Sequence, residues 1–252
     1  MNNLVGLIVL FLAGIVAGAI NSVAGGGTLV SFPSLIAFGE YEIVANATNT
    51  MAMWPGALSS ALGYRQDTRV DRNLLTLLAI PSVIGGLLGA FILVITPEQT
   101  FERIVPFLVL FATLLFAARN IISRRFNKGL QGVSLAARLW GFFFQLFVAT
   151  YGGYFGAGIG ILMLGSFSLM GLRDINEMNA IKTVLGTLIN GTATILFAIR
   201  GLVTWPLALL MTAGSIIGGY SGARLATRIN PRIIHFSIIG IGLIVSAWLF
   251  VK

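Results

Sequence analysis

An all-α, polytopic membrane bundle made of two inverted-topology repeats is the fold this sequence predicts, and three observations predict it. The 252 residues are 57% hydrophobic and only 10% charged, with a mean hydropathy of +0.94, whereas about a quarter of the residues in soluble domains are charged. Shifted by 133 residues, the chain matches itself at several separated places. Glycine runs interrupt apolar segments at corresponding points of the two halves. A helix that merely crosses a bilayer would avoid them, because each Gly costs about 1 kcal/mol relative to Ala.

Eight apolar stretches follow one another: Leu4 to Ile20, Ile43 to Leu62, Leu74 to Ile95, Ile104 to Ala118, Leu135 to Thr150, Ala180 to Ile199, Trp205 to Leu225 and Ile233 to Val251. Most approach the roughly 20 residues that a helix needs to cross the hydrocarbon core. Lipid offers backbone polar groups no partner, so apart from a closed barrel only helices fit. The first ten residues, MNNLVGLIVL, lack the basic region of a cleaved signal, and the first segment is expected to be retained. With no cysteine in the chain, disulfides, thiolate metal sites and thiol catalysis drop out.

The repeat aligns Ala24 to Gly27 with Ala157 to Gly160, Asn46-Ala47 with Asn179-Ala180, Thr50 with Thr183, and Ser82 to Gly86 with Ser215 to Gly219. The predicted organisation is a first repeat over 1–122, a polar cytoplasmic linker over 123–131 (SRRFNKGLQ) and a second repeat over 132–252. Each repeat reads as a Gly-broken first element followed by three full spans. Thr28 to Phe38 is about eleven residues, too short to cross alone. It belongs either to a hairpin that enters and returns or to one interrupted crossing.

Charge separates these alternatives. If the element returns to its own side, Arg65, Arg69, Arg72, Arg119, Arg124, Arg125, Lys128, Arg138, Arg173, Arg224, Arg228 and Arg232 share one face, 12 basic residues against 3 (Arg103, Arg200, Lys252). If it crosses, the division is 10 against 5. The positive-inside rule favours the first arrangement, with inverted repeats and both termini outside the cytoplasm. The net charge of +8 thus reports orientation rather than nucleic-acid binding, for which no partner is expected.

Inverted repeats around interrupted helices are the plan of secondary transporters, with the substrate near the midplane. A broken helix exposes N–H groups and a positive dipole end, which together attract an anion. Gly25, Gly26, Gly27, Gly158 and Gly160 would let backbone approach such a ligand, whereas Gly85, Gly86, Gly89, Gly218, Gly219 and Gly222 follow the small-xxx-small spacing of helix packing. Lys182 sits about a turn and a half into a span, at the position that matches Asn49. A Lys near the bilayer centre costs about 2.5 to 3.5 kcal/mol. It either faces a substrate cavity, the preferred reading, or snorkels to water beside Asp174 and Glu177.

Neutral hydrogen-bonding groups complete the candidate site: Asn21, Ser22, Thr28, Asn46, Asn49 and Thr50 from the first half, Asn179 and Thr183 from the second, and Asn190 more weakly. All eight carboxylates fall in loops or at helix ends, so no buried acid is expected as a proton relay or metal cage. His235 reads as interfacial. No nucleotide or hydrolase motif is present, and GAGIG lacks the strand and ribose-binding acid of a dinucleotide fold. Neither catalysis, nor a metal, nor a cofactor is expected.

These residues also carry a likeness. AGAINSVAGGGTLVSFPSL, then ANATNT, then ALGYR resembles the first repeat of the sulfite exporter TauE/SafE family of membrane permeases, and YGGYFGAGIGILML followed by NAIKT resembles the second. The family commonly shows a Thr-Lys pair where this chain has Ile181-Lys182-Thr183. The resemblance implies outward carriage of sulfite, organosulfonates or related anions across a bacterial inner membrane. The glycine breaks, Asn46 to Thr50, Lys182 and Thr183 would line the path. Other small solutes, or a membrane assembly role without flux, are the competing readings, and the sequence leaves a homodimer open.

Overall fold

The computed structural model describes residues 4–23, 25–64, 71–126, 135–172, 174–225 and 231–251. Most of the basic loop side chains behind the orientation argument, and the side chain of His235, lie outside the described residues. Within them the chain is all-helical: α1 (Leu4–Val23), α2 (Thr28–Phe38), α3 (Glu42–Tyr64), α4 (Arg72–Ile95), α5 (Glu98–Phe126), α6 (Leu135–Tyr154), α7 (Ile159–Leu169), α8 (Ile175–Ile199), α9 (Trp205–Leu225) and α10 (Pro231–Val251). Because α5 runs through Phe126, the first four residues of the expected linker, 123–126, are helical. Among the described residues, four helices, α1, α4, α5 over Glu98–Ala118 and α8, are long and apolar enough to cross a membrane. Large apolar side chains such as Leu12, Phe91, Phe107, Phe147 and Ile216 cover the outside of the bundle.

Local chemistry sets the boundaries. Asp71 caps α4 by accepting from the N–H groups of Asn73 and Leu74, and Asp174 caps α8 by accepting from Asn176, which satisfies donors that a helix start leaves unpaired. The breaks after α1 and α6 are true interruptions. Gly25 has φ +76°, and Gly156 and Gly158 have φ +82° and +79°, in the left-handed region where a Cβ is disfavoured.

Each break makes a hairpin. Helix α1 runs parallel to α9, with Gly14 against Met211, Gly18 against Ser215 and Ala19 against Gly222. Helix α2 then returns, and Glu40 beyond it accepts a hydrogen bond from the Thr204 hydroxyl, just before α9 begins (2.8 Å). The hairpin α1–α2 therefore leaves and regains the same end of the bundle. Helix α6 likewise runs parallel to α4, Gly85 lying against Ala149 and Gly89 against Thr150. Helix α7 then leads to the α7–α8 connection, near which the Asp71 N–H donates to Glu177 (3.2 Å), at the end where α4 starts. With a rise of 1.5 Å per residue, α1 is about 30 Å long and α2 about 16 Å, so α2 reaches only partway.

Packing crosses between the halves. Helix α1 rests chiefly on α9 and α6 on α4, while α3 meets α9 and α8, and α8 meets α4. Backbone touches backbone where Gly85, Gly89, Gly218 and Gly222 lie, so any side chain there would collide with the neighbouring helix. Helices α5 and α10 pair through Phe107 and Phe250, whose ring centroids are 4.9 Å apart, and through the Ser246 hydroxyl donating to Pro106 O. Helix α5 then packs on the short α7, and α10 on the short α2.

One expectation is corrected. Glu42 is a buried carboxylate, only 4% exposed, although it stands in the first turn of α3 as the sequence suggested. The end of the bundle that holds it is closed by polar bonds. The Glu98 side chain accepts from the Ile43 N–H (3.0 Å), and the Thr204 N–H donates to the Thr48 hydroxyl (3.0 Å), so segments distant in sequence meet at the start of α3, where Glu42 is buried.

Candidate anion site where the two helix breaks meet

The tips of the two hairpins touch. A methyl group in place of hydrogen on Gly160 would stand 2.7 Å from Gly25 Cα, and one on Gly25 would stand 2.6 Å from Gly160 Cα. The same methyl on Gly160 would lie 3.1 Å from Lys182 Cδ, so Gly160 also leaves the path of the lysine side chain clear.

Lys182 is 3% exposed and does not snorkel towards Asp174 and Glu177. Its ammonium donates to the carbonyl of Ser22, in the last turn of α1 (2.8 Å), and to Asn179 Oδ1, one turn earlier on α8 (2.8 Å). A helix C-terminus carries unpaired carbonyls and a partial negative charge, so the break that frees α1's last carbonyls also creates the seat for this cation. The second break is closed in the same way without charge: Asn46 Nδ2 donates to the carbonyl of Tyr154, the last residue of α6 (2.9 Å). Tyr151 donates its hydroxyl to Ala157 O across that turn (2.8 Å).

Two cavities adjoin at this meeting point. The larger is lined by Asn21, Ser22, Gly25, Gly160, Lys182, Thr183 and Asn190, together with Gly18, Met53, Gly56, Ala57, Ile159, Met163 and Gly186. The smaller is lined by Asn21, Thr28, Asn49, Thr50, Met53, Phe155, Gly156, Ile159 and Asn190. Asn21, Met53, Ile159 and Asn190 face both. Phe155 packs edge-on against Phe32 (5.3 Å) and Phe101 (6.4 Å), which stiffens the wall of the smaller cavity.

Of the residues expected at the site, Asn21, Ser22, Gly25, Gly160, Lys182 and Thr183 line the larger cavity, and Asn21, Thr28, Asn49 and Thr50 the smaller. Asn46 and Asn179 stand one turn behind, holding Tyr154 O and the lysine ammonium. The three remaining glycines line neither cavity: Gly26 is pressed on the Phe116 ring, Gly27 on the backbone of Ala17, and Gly158 supplies a left-handed turn beside Ala112. Thr50 and Thr183 donate their hydroxyls to Asn46 O and Ala180 O in their own helices, which leaves their oxygens as acceptors. The sequence missed Met53, Gly56, Ala57, Met163 and Gly186. Asn190 sits two turns beyond Lys182, a spacing that does put both on one helix face.

Taken together, an apolar-surfaced helical bundle with a buried ammonium on a cavity at two interrupted helices defines a multi-pass membrane protein of the transporter class. Residues 10–249 match the profile of the sulfite exporter TauE/SafE family, and the chain belongs to that family. It is 29% identical over 237 residues to a probable membrane transporter protein of Haemophilus influenzae, covering 92% of this chain and 91% of that one. It is 30% identical over 231 residues to the probable membrane transporter protein ORF9 of a Sinorhizobium species, covering 89% and 85%, and 27% identical over 248 residues to the probable membrane transporter protein YfcA of Escherichia coli, covering 95% and 87%. No solved structure matches the chain.

Proposed function

We propose that this protein is a secondary carrier, not an enzyme, which exports a small sulfur-containing oxyanion, sulfite or an organosulfonate, across a bacterial inner membrane. The observation that carries the reading is the Lys182 ammonium, buried on the cavity wall at the contact of the two hairpins. Its seat on the Ser22 carbonyl is a neutral partner, which an incoming oxyanion displaces in exchange for a charge-assisted bond, the stronger of the two kinds. The family's name points to the same substrate class.

Alternating access by two inverted repeats, with domain limits near 122 and 132, is the mechanism this reading carries. In its support, the connections after α2 and after α7 are equivalent in the repeat, yet they are hydrogen-bonded into opposite ends of the bundle, the first through Glu40 and Thr204 and the second beside Asp71 and Glu177. The chain has no native cysteine, so single cysteines introduced at Glu40 and at Asp174 can be labelled with impermeant maleimide in cells. Opposite sidedness is expected, and labelling from the same face refutes inversion. Flux is tested with purified protein in liposomes loaded with labelled sulfite. Efflux competed by sulfonates and lost in Lys182→Ala is expected, and efflux that survives Lys182→Ala rejects the assigned role.

A further inference from the structure

The face of α8 that borders the larger cavity carries Lys182, Gly186 and Asn190 at successive turns, one above the other as residues four apart on a helix must be. In the first half the equivalent residues, 133 positions earlier, are Asn49, Met53 and Ala57 on α3. The middle place therefore holds a long side chain in one half and none in the other. Nothing in the scaffold asks for glycine at 186. It lies inside α8 without a left-handed backbone, and a methyl added there would have no atom within 4 Å. Gly14, Gly18, Gly85 and Gly89, by contrast, are pressed on neighbouring helix backbone. Glycine weakens a helix relative to alanine, so α8 gives up strength here for space that no protein atom fills.

That space adjoins the buried ammonium, and the cavity wall around it includes the apolar side chains of Met53, Ala57, Ile159 and Met163. We propose that Gly186 determines specificity: it makes room for the apolar tail of an organic oxyanion whose head rests on Lys182. One turn of helix, about 6 Å of rise, separates the two residues, which suits a tail of about three carbons. The thioethers of Met53 and Met163 adapt to its shape, since methionine is flexible and polarizable. The inference rests on the anion-carrier reading and selects, within it, sulfonates with a short apolar tail over bare sulfite.

The test is calorimetric titration of the purified full chain with sulfite, methanesulfonate and propane-1-sulfonate. The two sulfonates share one head, and each buried methylene is worth about three- to fourfold, so the unaltered protein is expected to bind propane-1-sulfonate about tenfold more tightly than methanesulfonate. In Gly186→Leu that ratio falls to about one or below, because the leucine side chain occupies the tail's place. Lys182→Met weakens both sulfonates together and leaves the ratio standing. Gly186→Ala, which adds a single methyl, lowers the ratio by about threefold and decides the matter if the leucine variant does not survive gel filtration. Equal affinity for the two sulfonates in the unaltered protein overturns the proposal, as does a ratio that persists in the deciding variant. So does a loss of methanesulfonate binding as large as that of propane-1-sulfonate in Gly186→Leu, since the space would then belong to the head. If sulfite binds and neither sulfonate does, the room for a tail is refuted while the carrier reading stands, and if no oxyanion binds, both fall.

Discussion

At the first break an ammonium closes the end of the helix, and at the second an amide does. Lys182 of α8 bonds the Ser22 carbonyl of α1, and Asn46 of α3 bonds the Tyr154 carbonyl of α6. Asn46 and Asn179 are equivalent in the repeat, yet Asn46 reaches a broken helix directly while Asn179 accepts from the lysine that does so. The difference teaches how a near-symmetric scaffold is given a polarity. Two turns of backbone present the same need, unpaired C-terminal carbonyls in a low-dielectric interior, and meeting one of them with a charge makes one cavity cationic and leaves its neighbour neutral.

The largest effect follows from removing the charge. Lys182→Met is expected to weaken sulfite binding by about tenfold to a hundredfold, the loss of one charge-assisted contact, while Lys182→Arg keeps more of it; calorimetry that finds Met and wild type equal would erase the contrast between the breaks. Next comes the contact of the hairpins. Gly160→Val places a branched side chain where even a single methyl meets Gly25 Cα and Lys182 Cδ, and should lower stability by about 1–3 kcal/mol and abolish liposome flux. Asn46→Leu removes the neutral cap at a cost of about 1–3 kcal/mol, read as a lower melting temperature. Its effect on anion affinity should be smaller than that of Lys182→Met, and the reverse order would make Asn46 the functional cap. The smallest change is Gly186→Ala. No atom lies within 4 Å of the added methyl, so helix propensity favours alanine by about 1 kcal/mol, and a fall in melting temperature would contradict the open space on that side of the larger cavity.

Much of the fold is legible in the sequence because the membrane makes the pattern simple. The eleven-residue piece from Thr28 to Phe38 is a helix with those bounds, and α3, α4 and α5 begin 133 residues before α8, α9 and α10, which is the repeat offset. Packing glycines are legible too, since small-xxx-small spacing is a property of one helix. The site is less so. Nothing local distinguishes Gly25 and Gly160, which meet tip to tip, from Gly26 and Gly27, which press on Phe116 and Ala17. That depends on which helix arrives from the other half. Lys182 is conspicuous as a charge in an apolar run, but its partner is a main-chain carbonyl 160 residues away, and a carbonyl has no sequence signature. Glu42 reads as a surface helix start, and its burial depends on segments distant in sequence that meet the start of α3.

The meeting of Gly25 with Gly160 has a mechanical consequence. Main chain bears on main chain there, with no side chain between them to change rotamer, so a tilt of one hairpin is handed to the other at once instead of being absorbed by a soft interlayer. In the alternating access proposed above, this contact would be the fulcrum: rocking about it would widen the space on one side of the pair as it narrowed the other, with the lysine that passes beside Gly160 close to the pivot, where the displacement is least.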